Sequence, residues 1–141
     1  MNFRKFTAFI FAAALVFSAA SCASRQIAIP DDLSPAELIQ RGQEASDRNK
    51  YSVSLQYYAA IIDRFPNDID NILAAEYEIA FIHYKQKKYD ISKVEFTDLL
   101  ERYNTQDEEL LPPSFKILSQ MVLGKITEIE NRRNKTVTDE I

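Results

Sequence analysis

Residues 42–65 read GQEASDRNKYSVSLQYYAAIIDRF, and residues 80–103 read AFIHYKQKKYDISKVEFTDLLERY. Laid over each other at a shift of 38 residues, without a gap, the two stretches agree in kind. Gly42 falls on Ala80, Tyr51 on Tyr89, Ser54 on Ser92, Tyr58 on Phe96, Ile61 on Leu99, Arg64 on Arg102 and Phe65 on Tyr103. Each copy holds two helix-length amphipathic segments around a polar break, RNK at 48–50 and KQKK at 85–88. Self-similarity at a period of about 20–50 residues marks stacked-repeat architectures, in which each unit buries its apolar face against the next. Such folds offer a surface to another protein more readily than they house a reaction.

Working outward, the helix signals are strong. Ser34-Pro35-Ala36-Glu37 combines a capping serine, a proline where no amide proton is wanted and a glutamate three residues after the serine. It predicts a first helix over 35–47, with Leu38, Ile39, Gly42 and Ala45 toward the seam. A second over 51–64 should bury Leu55, Tyr58, Ile61, Ile62 and Phe65 before Pro66 closes the unit. Asp68 and Asp70 open a third, carrying Leu73, Tyr77, Ile79, Ala80, Ile82, His83 and Tyr84. A fourth over 89–103 carries Ile91, Val94, Phe96, Leu99 and Leu100. After an acidic stretch and the Pro112-Pro113 pair, a fifth over 114–132 carries Phe115, Leu118, Met121, Val122, Ile126 and Ile129, stepping mostly by three or four. No stretch alternates long enough for a strand, and hairpin turn chemistry is missing. The expected fold is all-α: a short α-solenoid of two helical hairpins with a C-terminal capping helix over 34–134, then a flexible tail over 135–141.

Composition narrows the chemistry. The chain has 141 residues, two glycines and five prolines, with 46% hydrophobic and 27% charged residues. This is one globular domain of long helices, and glycine-rich phosphate loops are excluded. A net charge of −4 argues against a nucleic-acid partner, which needs a basic face. Lys85, Lys87 and Lys88, and Arg132, Arg133 and Lys135, form small basic groups that read as solvated helix ends. His83 is the single histidine and has no nucleophilic partner nearby, so it reads as a core or boundary histidine. No ligand set for a metal is recognisable and no cofactor is expected. The chain is not expected to be an enzyme.

The N-terminal 21 residues read as a secretory signal: Arg4 and Lys5, then an uncharged run over 6–20, short for a membrane span. Ala19-Ala20-Ser21-Cys22 follows, with the chain's single cysteine. It resembles the lipobox of bacterial lipoproteins, with alanine in place of the usual leucine. The resemblance implies that Cys22 is the first mature residue and carries acyl chains. A cleaved signal with a stray thiol and an uncleaved anchor are the alternatives, but a lone thiol is a liability in an oxidising compartment. Residues 22–33 would then be the lipidated cysteine and a tether, since ASRQIAIPDD has no helical period.

The repeat itself resembles the tetratricopeptide family. HYKQKKYDIS at 83–92 is similar to that family's YYKQGDYDEA turn, and IIDRFPND at 61–68 resembles its closing segment with a terminal proline. Residues 35–68 and 73–106 each span the family's unit, leaving 69–72 as an insertion. The early tryptophan is replaced by Leu38 and Glu76, and the late alanine by Ile61 and Leu99. With a lipid anchor, the chain is similar at family level to the repeat lipoprotein of the outer-membrane β-barrel assembly machinery. The resemblance implies an interaction scaffold in the bacterial cell envelope, anchored in the outer membrane and facing the periplasm, with an envelope protein or peptide as partner. It also implies a groove lined by Ile39, Gln43 and Ser46 in the first copy and by Tyr77, Phe81, Tyr84 and Lys85 in the second. The fifth helix could instead cover that aromatic stripe. A purely structural envelope lipoprotein and an accessory domain of an envelope enzyme are the competing readings.

Overall fold

The computed structural model describes residues 26–105 and 108–139, so the signal segment and Cys22 lie outside the described residues. Five α-helices follow in order among these: α1 Pro35–Asp47, α2 Tyr51–Arg64, α3 Ile69–Lys85, α4 Tyr89–Glu101 and α5 Pro113–Asp139, with single 3₁₀ turns at Arg102–Asn104 and Glu108–Leu110. The described residues form no strand, and the fold is all-α.

The helices begin where the sequence demands. Ser34 caps α1 in a full capping box, its backbone N–H donating to Glu37 Oε2 at 2.9 Å while its Oγ accepts from the Glu37 amide. These bonds from Ser34 hold the Glu37 carboxyl below its ordinary range. Asp68 caps α3 by accepting from the Asn71 amide.

The 38-residue period is obeyed bond by bond. Ser54 Oγ donates to the Gly42 carbonyl at 2.7 Å, and Ser92 Oγ donates to the Ala80 carbonyl at 2.9 Å. α1 ends when Asn49 N–H bonds Ser46 O and Lys50 N–H bonds Ala45 O; α3 ends with Lys87 to Tyr84 and Lys88 to His83. Both are paired 5→2 and 6→1 closures around a residue in the left-handed region, Asn49 at φ 56° and Lys87 at φ 61°. Asparagine tolerates that region, whereas for lysine it costs about 1 kcal/mol. Lys87→Gly should therefore raise stability by about 0.5–1 kcal/mol, read as a higher urea midpoint; a lower midpoint would contradict the strain.

Residues 69–72, the four that fall between the two units, are helical. They form the first turn of α3, which reaches 17 residues against 13 for α1, and Ile72 within them is buried. α5 runs on to Asp139, through the section expected to be a tail, because nothing between 114 and 139 breaks it.

Three apolar clusters hold the helices together. Leu33, Leu38, Tyr58, Ile61, Ala75 and Ile82 join α1, α2 and α3. Ala80, Phe96, Val122 and Ile126 join α3, α4 and α5, and Leu73, Leu99 and Tyr103 close the far end. Beyond chain neighbours, α1 meets α3 and α3 meets α5. Ile91 and Val94 stay 48% and 60% exposed on α4, because Ser92, Phe96 and Leu99 define its inner face. On α5 the inner face is Phe115, Ser119, Val122 and Ile126; Leu118 and Met121, expected on the seam, are exposed.

Residues 26–32 do not stand off as a tether. The Ile27 N–H donates to Gln56 Oε1 at 2.9 Å. Arg64 donates to the carbonyls of Pro30 at 2.7 Å and Ile29 at 3.1 Å, and lies 3.4 Å from the Asp31 carboxylate. Ile29 packs on the first cluster and Leu33 is buried within it. The segment is a strap laid along α2.

Candidate functional site

α3 places Tyr77, Phe81 and Tyr84 on one face, and their rings stack in a ladder: Tyr77 on Phe81 at 5.8 Å and 14°, Phe81 on Tyr84 at 5.7 Å and 17°. All three are half-buried. The Tyr77 end is taken by the core and by α5, with Phe96 at 5.6 Å and Phe115 at 5.8 Å. Tyr84 meets Tyr89 at 5.8 Å. The fifth helix thus covers one flank of the stripe and leaves part of each ring exposed.

Lys85, at the end of α3, is more than a solvated helix end. Its Nζ donates to Ser46 Oγ at 2.6 Å, 39 residues away in sequence. The same ammonium lies 5.6 Å from the Tyr51 ring centroid and 5.4 Å from that of Phe81, within range of attraction to both faces. Lys87 and Lys88 remain exposed beside it.

Ser46 is therefore buried at 4% exposure, its hydroxyl turned to Lys85 rather than lining an open groove. Ile39 is also withdrawn, packed against the first apolar cluster. Gln43 is exposed on α1. Of the seven residues expected at a groove, the structure joins Ser46, Phe81 and Lys85 directly, continues them with Tyr84 and Tyr77, leaves Gln43 exposed on α1 and packs Ile39 on the first apolar cluster. Cys22 lies outside the described residues.

Glu78 shares this region. Burial pushes its carboxyl up; the Lys85 ammonium opposes that, and Asp47 adds to it. A raised folded-state value means the native chain holds a proton longer than the unfolded one, so this group's contribution to stability falls as pH rises through the raised value. Glu78→Gln should be more stable than the natural chain at neutral pH, and the gap should close as pH drops below the ordinary carboxylate range. Urea midpoints at pH 7 and near pH 4 check this; a gap that widens on acidification would refute it.

A second concavity was not foreseen. Glu76, Glu95, Asp98, Glu101 and Arg102 wall a cavity of about 490 Å³ floored by Ile79 and Leu99, between α3 and α4. His83 Nδ1 lies 2.7 Å from Glu95 Oε2 beside it, and Arg102 donates to Glu76. The histidine sits at the boundary of the helix pair. Among the described residues no group of three or more His, Cys, Asp or Glu is placed to hold a metal ion, and no helix is long and apolar enough to cross a membrane.

No protein-family model matches the chain, and no solved structure matches it. It is 32% identical over 113 residues to a Treponema pallidum (strain Nichols) protein described as uncharacterized, covering 79% of this chain and 45% of that protein. The chain therefore spans less than half the length of that relative.

Proposed function

We propose that this protein is a membrane-anchored interaction adaptor of the bacterial cell envelope, related to the tetratricopeptide repeats. It is held at the outer membrane by acyl chains on Cys22 and engages an envelope protein or peptide along the α1–α3–α5 side. The supporting observation is the stacked ladder Tyr77–Phe81–Tyr84 ending at Lys85, whose ammonium is held in place by Ser46, Tyr51 and Phe81. Half-buried aromatics are rigid, so ordering them on contact costs little, and aromatic anchors carry a large share of binding energy at interfaces. The duplicated hairpins supply a stiff frame, and the signal-like N-terminus with Cys22 supports the location.

Photoreactive residues at Gln43 and Tyr84 in intact cells test the reading, with Asp63 on the outer side of α2 as the reference position. Both should capture one defined envelope protein that Asp63 does not, and Lys85→Gln should reduce capture several-fold. Identical capture patterns at all three positions would leave a structural lipoprotein as the better description.

A further inference from the structure

The basic groups that read from sequence as separate helix ends meet at one end of the molecule. Lys85 ties two of the segments together. Its Nζ donates to Ser46 Oγ at 2.6 Å and lies 5.6 Å from the Tyr51 ring centroid, so the α3–α4 turn stands beside the α1–α2 turn. On the other side, Lys87, Tyr89 and Asp90 share a depression of about 450 Å³ with Glu130, Arg133 and Asn134 of α5. This end therefore collects Arg48 and Lys50 from the first turn, Lys87 and Lys88 from the second, and Arg132, Arg133 and Lys135 from α5. All of these are exposed. The facing carboxylates are fewer. Asp47, Asp90 and Glu128 stand among them, Glu44 lies 3.8 Å from Arg48, and Glu130 is bonded to Lys93 at 2.8 Å. The whole chain carries a net charge of −4, so this positive end implies an acidic opposite one. Asp31, Asp32, Glu37, Asp68, Asp70 and Glu109 indeed flank the starts of α1, α3 and α5.

We infer that the basic end docks on a bilayer surface of anionic phospholipid headgroups. The inference rests on the membrane location proposed above, but not on acylation of Cys22, to which it adds a second contact. Aromatic side chains stop at Tyr84 and Tyr89, which leaves the tips of both turns and the tail of α5 to polar and charged residues. Charge without a desolvated anchor gives little affinity for a protein. At an anionic lipid surface it accumulates cation by cation, each lysine or arginine contributing about fivefold in binding. The spread of these cations over three segments matches a surface whose own charge is spread. Charge polarity fixes the orientation, because the acidic end is repelled by the same headgroups. The helices then stand upright on the bilayer, and the Tyr77–Phe81–Tyr84 side stays open to a partner.

Co-sedimentation with vesicles tests this on residues 22–141 carrying Cys22→Ser, which hold no acyl chain. The probes are vesicles of phosphatidylcholine alone and of an equal mixture of phosphatidylcholine and phosphatidylglycerol. Binding to the mixed vesicles should be at least roughly tenfold tighter. It should be lost when salt rises from about 0.1 M to about 1 M and the screening length falls from about 10 Å to 3 Å. Lys88→Gln with Arg133→Gln should weaken it by roughly tenfold or more. Arg41→Gln with Lys125→Gln removes the same charge from exposed positions further back, and should change it by less than about threefold. Equal binding to the two kinds of vesicle overturns the proposal even if the variants misfold, and so does equal weakening by the two pairs. Binding of soluble polyglutamate with neither vesicle bound would give this end to an acidic protein and overturn it as well. The anchor is judged separately, since palmitate should label the natural chain in cells and not Cys22→Ser.

Discussion

Phe96→Ala should destabilise the protein by about 3–5 kcal/mol, the usual cost of emptying a buried phenylalanine site. Phe96 has 0% exposure, lies 5.6 Å from Tyr77 and shares its cluster with Ala80, Val122 and Ile126. It is the point at which α3, α4 and α5 meet. Domains of this size are stable by only about 5–15 kcal/mol, so the variant should lose a large part of its margin. Because α5 rests on this cluster, its far end should become protease-sensitive first. Val94→Ala on the same helix is the internal reference: Val94 is 60% exposed, and the change should stay within about 0.5 kcal/mol. Urea titrations of the two variants decide the matter, and similar midpoints would mean that Phe96 is not the keystone assigned to it.

The second large effect concerns the two glycines, where one substitution should act with opposite signs. A Cβ on Gly42 would lie 2.7 Å from Tyr58 Cζ and 2.9 Å from its Cε1. The Tyr58 ring is fully buried, so any shift must be taken up by its core neighbours. Gly42→Ala should therefore cost about 1–3 kcal/mol as overpacking, outweighing the helix propensity that alanine brings. A Cβ on Gly124 would meet nothing within 4 Å. Gly124→Ala, in the middle of exposed helix, should add about 0.5–1 kcal/mol. Two thermal melts suffice, and a Gly42→Ala protein as stable as the natural one would show that α1 and α2 are not as closely spaced as described. In the second unit the corresponding pair is Ala80 and Phe96, so the chain sets a glycine against a phenol and an alanine against a plain phenyl ring.

Most of the architecture was legible because local signals and the repeat agreed. Ser34, Pro35 and Glu37 fix the start of α1, Asp68 that of α3, and the small residues Gly42, Ser54, Ala80 and Ser92 mark where backbones approach. α5 was harder. Its hydrophobic residues alone favour Leu118 and Met121, but Phe115 and Ile126 set its rotation and turn Ser119 inward. Ser119 carries no repeat signal, since at the 38-residue shift it falls on Phe81 and Leu118 falls on Ala80. The strap was not legible at all. ASRQIAIPDD has no period, and the residue that holds it, Arg64, looks from sequence like any cation in a last helical turn. The Lys85–Ser46 bond likewise joins two helices through side chains that pattern cannot pair. The aromatic ladder was visible as spacing, but how much of it α5 covers depended on tertiary packing.

The matched closures at Asn49 and Lys87, and the matched serine-to-carbonyl bonds, bear on how such a chain could change length. α3 packs on α2 and α5 packs on α4, so each hairpin is met by the helix that follows it. Duplicating one 38-residue stretch in frame would add a hairpin with the same closures and the same serine-to-carbonyl bond. The protein carries within itself the joint for its own elongation.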